Sequence, residues 1–275
     1  MKSGGPAGLP SGLLLLVGVI AFIPVAGYMM SKPSIAQYLS YVSAAVVFPY
    51  LIWETTRGTR EEAGRMMVII VLCLFSMVFW GFFELQGSTI TRFVEDQVNT
   101  KILGYEMPAA FVANFVNSFL VINLSIPFSA LWIWLDKRGL EPSSPLKFSL
   151  ALAQVALGFI MFWVGATTLG ADGKCSLIWP LLAYLFLTTG ELCLSPVGLS
   201  MITKLSPVRL VGVFIGVWFL VSAIANVISG GVIGKLTKAH GYAWVFMLIA
   251  AICAGASVVL FILTPALKKR MHGLK

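Results

Sequence analysis

MMVIIVLCLFSMVFWGFF, residues 66–83, runs for 18 positions without a charge, and ELQGSTITRF (84–93) follows it with Glu84 and Arg92. A spanning helix needs roughly 20 mostly apolar residues, so 66–93 predicts a membrane helix that ends on a carboxylate. A carboxylate costs several kcal/mol wherever water is excluded. Its presence there asks for a functional reason.

Seven further stretches have the same character: 13–30, 35–53, 109–135, 148–169, 178–203, 210–236 and 243–267. Of the 275 residues, 59% are hydrophobic and only 11% are charged, a balance that belongs in a bilayer rather than in a soluble domain. The expected fold is an all-α membrane protein of about eight transmembrane helices. No small-residue cleavage site follows the first stretch and a second span arrives at once, so it reads as a retained span.

The formal charge of +8 does not point to nucleic acid, because the basic residues are spread over short loops instead of forming a patch. With eight spans both termini share a side. That side collects Lys2, Arg57, Arg60, Arg65, Lys137, Arg138, Lys147, Lys204, Arg209, Lys268, Lys269, Arg270 and Lys275, thirteen of the 19 Lys and Arg. The positive-inside rule then makes both termini cytoplasmic in a multi-pass protein of the inner or plasma membrane.

The chain divides into a Gly/Pro-rich linker (1–12), a two-helix lipid-facing hairpin (13–53), a charged cytoplasmic connector (54–65), a six-helix bundle (66–267) and a basic cytoplasmic tail (268–275). Polar residues concentrate in the bundle. Residues three or four apart share a helix face, which aligns Trp80, Glu84, Gly87, Ser88 and Thr91; Thr188, Glu191 and Ser195; and Trp218, Ser222, Asn226, Ser229 and Gly230. Such stripes predict a shared polar interior. GVFIG (212–216) and GGVIG (230–234) fit the small-xxx-small pattern of close helix packing.

Glu191 lies about 13 residues into its span, roughly 20 Å from the edge, with no Lys or Arg in that helix before Lys204. It reads either as a protonated acid tying two helices together or as a ligand or proton site, the default for an intramembrane acid. Glu84 is nearer the outer end and suits a rim or a proton-linked gate. Trp218 is either bulk or pocket wall. His240 and His272 lie outside the spans, and no HExxH, Cys/His cluster or phosphate-cradling glycine loop is present, so neither an enzyme, nor a metal site, nor a cofactor is expected. The four cysteines read as small apolar fillers.

FFELQGSTITRF (82–93), DKRGLEPSSPLKFSLAL (136–152), GELCLSPVGLSMITKLSPVRLVGVFIGVWFL (190–220) and SAIANVISGGVIG (222–234) together resemble the C-terminal half of the proton-dependent oligopeptide transporters, a branch of the major facilitator superfamily. The resemblance covers roughly 60–267. It implies that the first two spans are the extra helix pair joining the two halves in prokaryotic members, followed by helices seven to twelve. It also implies peptide-binding roles for Glu191 (the peptide amino group), Trp218, Ser222 and Asn117, and a proton-coupling or gating role for Glu84. Small peptides, protons and the lipid bilayer would be its partners, with a proton gradient as energy source.

The family's first-helix ExxER motif, fourth-helix lysine and accompanying tyrosines have no counterpart here. Since alternating access rocks one bundle against another, the resemblance implies an N-terminal six-helix half as a further partner. Two other readings stay open: a non-transporting membrane interaction protein that associates with a full-length relative, and a homodimeric carrier.

Overall fold

The computed structural model describes residues 11–102 and 104–273. It divides into two compact units that meet at Phe48 and Pro49. The first holds α1 (Ser11–Ser31) and most of α2 (Pro33–Arg57). Val17, Ile20, Phe22, Ile23, Val42 and Val46 are all exposed on these helices, as suits helices solvated by lipid. Of the expected linker, 1–10 lies outside the described residues, and Ser11 and Gly12 already belong to α1.

The second unit contains α3 (Arg60–Phe83), α4 (Thr89–Gln97), α5 (Ala109–Lys137), α6 (Ser144–Thr167), α7 (Ile178–Leu205) and α8 (Val211–Arg270). Among the described residues five helices are long and apolar enough to cross a membrane, Arg60–Gly87, Ala109–Lys137, Ser144–Thr167, Ile178–Leu205 and Val208–Arg270. At about 1.5 Å per residue the last would be some 90 Å long against a hydrocarbon core of about 30 Å. It is broken at Gly241 (φ 81°, ψ 169°), a conformation essentially restricted to glycine, and its arms, 211–240 and 242–270, match the last two expected spans. Counted with its two arms separate, this unit has six long apolar helical segments among the described residues. α1 and α2 are not among the five; the shorter apolar helix Leu16–Val25 lies within α1.

Two expected boundaries change. The connector 54–65 shrinks to Gly58 and Thr59, because Thr59 caps α3 in a reciprocal box: the Glu62 amide donates to Thr59 Oγ1 (3.2 Å) and the Thr59 amide donates to Glu62 Oε2 (3.3 Å). That arrangement satisfies two orphan donors and lets the helix start early. At the other end, 66–93 is not one helix. α3 stops at Phe83, a 3-10 turn covers Glu84–Gly87, and α4 begins at Thr89. Freed carbonyls find partners, since Gln86 Nε2 donates to the Phe83 carbonyl (3.1 Å) and the Thr91 hydroxyl donates to the Gln86 carbonyl, as a membrane break requires.

α6 forms the centre of the unit, with Phe148, Leu152, Val155, Phe159 and Phe162 fully buried at helical spacing. Phe162 meets Tyr184 edge-on at 5.9 Å and Phe246 at 5.4 Å, and Phe246 meets Phe93 at 5.0 Å. These contacts join α6, α7, the second arm of α8 and α4. Ser149 and Ser257 exchange hydrogen bonds at 2.8–3.2 Å between α6 and that arm, the polar glue expected between membrane helices. Glycine supplies the closest approach: a Cβ on Gly190 of α7 would stand 3.1 Å from the Ala151 carbonyl of α6.

The glycine motifs singled out in the sequence behave differently. A Cβ on Gly212, Gly216, Gly230 or Gly234 would meet nothing within 4 Å, so among the described residues these glycines of GVFIG and GGVIG make no close helix contact. α5 is likewise little used. Only Val112 and Ala113 of its 29 residues are buried.

Candidate functional site

Glu191 sits beside a hydrogen bond that joins two helices. On α7, Thr188 and Glu191 are spaced by three residues and therefore share a face. Thr188 is fully buried, and its hydroxyl donates to Asn117 Oδ1 of α5 at 2.7 Å. Glu191 follows Thr188 by one turn of α7 and so lies beside this contact between α5 and α7. One Glu191 oxygen, Oε2, is buried without a hydrogen-bond partner.

Glu84, the other acid read from the sequence, caps the C-terminus of α3 in the 3-10 turn and is exposed there. None of the three ion pairs among the described residues, Arg65–Glu61, Lys147–Glu141 and Arg209–Glu54, involves either acid. A carboxylate without a cationic partner can accept from an ammonium group or take up a proton.

Asn117 is the asparagine that reaches across. Asn114 and Asn123 turn back on their own helix, donating to the Ala110 carbonyl at 2.8 Å and the Phe119 carbonyl at 2.7 Å. In the sequence the three residues look alike.

Trp218 and Ser222 lie elsewhere in the packing. Trp218 is only 3% exposed, held edge-on to Phe148 at 6.1 Å. A Cβ on Gly198 would approach its ring to 2.2 Å, so the absence of a side chain there makes room for the indole. Ser222 is half-buried and donates to the Trp218 carbonyl at 3.1 Å. In this conformation Trp218 fills the seam between α6, α7 and α8, while Asn117 and Thr188 join α5 to α7.

Sequence reading passed over Gln154 and Lys147. Gln154 Nε2 donates to Cys193 Sγ at 3.3 Å, two residues from Glu191. Lys147 is buried, paired with Glu141 at 2.6 Å and set 4.5 Å from the Trp132 ring centre. The signal for Lys147 was the nearby acid in EPSSPLK. The four cysteines are free and buried; burial pushes the Cys175 thiol up despite an opposing backbone hydrogen bond.

A family model described as PTR2, POT family, matches residues 16–246. The chain belongs to the POT family. The peptide transporter YePEPT of Yersinia enterocolitica is 31% identical over 260 residues, covering 91% of this chain and 50% of that protein. Dipeptide and tripeptide permease B of Salmonella typhimurium is 28% identical over 271 residues, covering 94% of this chain and 55% of that protein. A crystal structure of peptide transporter POT with sulfate superposes with a TM-score of 0.77 at 24% identity, covering 96% of this chain and 54% of the other. A mutant of a peptide transporter POT in complex with alafosfalin gives 0.76 at 25% identity, with 96% and 53% covered. The chain spans about half the length of the curated relatives it matches, the C-terminal half. It is a multi-pass membrane protein built on the POT fold.

Proposed function

We propose that this POT chain supplies the C-terminal half of a proton-coupled symporter of di- and tripeptides, working with an N-terminal six-helix half in the cytoplasmic membrane. The observation that carries the reading is the Glu191 carboxylate, which joins no ion pair among the described residues and has Oε2 buried without a hydrogen-bond partner. The amino terminus of a peptide supplies the missing cation. Its ammonium donates to Glu191 in a charge-assisted hydrogen bond, roughly twice as strong as a neutral one.

Protons take the place of that ammonium. Two acids without cationic partners repel when both are ionised, so a proton on Glu84 or Glu191 relieves the repulsion. The helix break at Glu84, between α3 and α4, supports a gating role for this proton. Trp218 and Ser222 bound the peptide pocket in the complete assembly. The chemistry is transport rather than catalysis, driven by the proton gradient without a bound cofactor. The thirteen-to-six bias of Lys and Arg supports cytoplasmic termini.

Competition between peptides tests the amino-group assignment. In vesicles holding both halves, a free dipeptide should compete for uptake at least about tenfold better than its N-acetylated form, the value of one charge-assisted hydrogen bond. Equal competition by the two would refute it. Uptake by this chain reconstituted alone would favour the homodimeric carrier instead, and uptake by a full-length relative that is unaffected by Glu84 or Glu191 substitutions in a co-purifying chain would favour the interaction protein.

A further inference from the structure

A second polar site lies far from the acids. Where α3 begins and α8 ends, a cavity of about 540 Å³ is lined by Arg60, Glu61, Gly64, Met67, Arg270 and His272. Its charge is lopsided. Among the described residues neither Arg60 nor Arg270 joins an ion pair, while Glu61 is neutralised by Arg65 at 2.5 Å.

The wall is built rather than incidental. Met271 is fully buried and pins the turn after α8, so that Arg270 and His272 on either side of it stay exposed. His272 adopts a left-handed backbone (φ 51°). Gly64 opens the α3 side: a Cβ there would lie 3.5 Å from the Arg270 carbonyl and 3.6 Å from His272 Nε2.

The same helix faces continue as an apolar track. On α3, Arg60, Gly64, Met67, Leu74, Val78 and Gly81 fall on one side at spacings of three, four and seven, with Met67 39% and Leu74 48% exposed. On α8, Arg270, Leu263, Val259 and Ile252 do the same, and the last three are exposed apolar residues. The track ends in a groove of about 290 Å³ whose walls include Met77, Val78 and Gly81 of α3 and Ile228, Val232 and Ile252 of α8. From Met67 to Val78 is about 16 Å along the helix. That is about half of a 30 Å hydrocarbon core, one leaflet deep.

We propose that this face binds an anionic phospholipid, with its phosphate among Arg60, Arg270 and His272 and an acyl chain along the α3–α8 track into the apolar groove. Basic pockets between membrane helices hold anionic headgroups in this way, and each Lys or Arg near such a surface strengthens the attraction several-fold. A free phosphate would satisfy the cations but leave the apolar track without purpose. The inference does not depend on the transport reading, because it uses neither Glu84 nor Glu191.

The test is native mass spectrometry of the full chain in detergent, with equal amounts of dioleoylphosphatidylglycerol and dioleoylphosphatidylcholine added. The phosphatidylglycerol adduct should be retained at least about tenfold more tightly, and Arg60→Gln with Arg270→Gln should weaken it by about 30-fold. Lys174→Gln, in a loop, should change nothing. Excess inorganic phosphate should fail to displace the lipid, and Val78→Trp, which fills the groove, should weaken its retention. Equal retention of the two lipids by the unaltered chain would overturn the proposal whether or not the variants fold. Full displacement by inorganic phosphate would also overturn it, making the cavity a phosphate site.

Discussion

Asn117 is the residue that joins α5 to α7 beside Glu191. It accepts from the buried Thr188 hydroxyl, so Asn117→Ala leaves that hydroxyl without its partner and should cost about 1–3 kcal/mol. Thermal unfolding in detergent measures this, and Asn114→Ala, which removes only a bond to its own helix, should cost far less. Gly198 offers a second residue-scale test. Gly198→Ala forces a methyl into the Trp218 ring and should destabilise by about 1–3 kcal/mol, with Trp218→Phe restoring much of the loss. No recovery in the double variant would show that the indole is not the obstacle. Glu191 was legible in the sequence as a lone acid in an apolar run. The choice among Asn114, Asn117 and Asn123 was not, because only the placement of α5 against α7 separates them.

At the scale of elements, the helical stretches were legible because a charge-free run such as 66–83 has few alternatives in a bilayer. Breaks were not. The three- and four-residue spacing of Trp80, Glu84, Ser88 and Thr91 continues through the turn at Glu84–Gly87, so periodicity alone does not reveal it. The stripe read from Trp218 to Gly230 also splays across a boundary, with Trp218 and Ser229 buried, Ser222 half-buried and Asn226 exposed, since the same arc carries buried Phe214, Val221 and Ala225. Gly241 marks the other break. Its backbone, with φ 81° and ψ 169°, excludes other residues at a cost of about 1–3 kcal/mol, so Gly241→Ala should lower the unfolding temperature and Gly231→Ala, within the first arm, should not. Equal behaviour of the two would mean that the arms of α8 do not meet at a fixed corner.

For the whole molecule, what the unit leaves uncovered is as informative as its core. α5 exposes Asn114, Ser118 and Asn123 as well as Phe115 and Ile126, and the first arm of α8 exposes Gly212 and Gly216 with open space around them. Small and polar membrane faces of this kind favour another helix over lipid. The chain spans about half of its POT relatives, and these faces are where the proposed N-terminal half would pack. The direct measurement is dipeptide uptake into vesicles under an inward proton gradient, with this chain and an N-terminal half reconstituted singly and together, and with Glu191→Gln in the pair. We expect uptake only from the pair and a loss of at least about tenfold on substitution; uptake by this chain alone, or a pair indifferent to Glu191→Gln, would contradict the account.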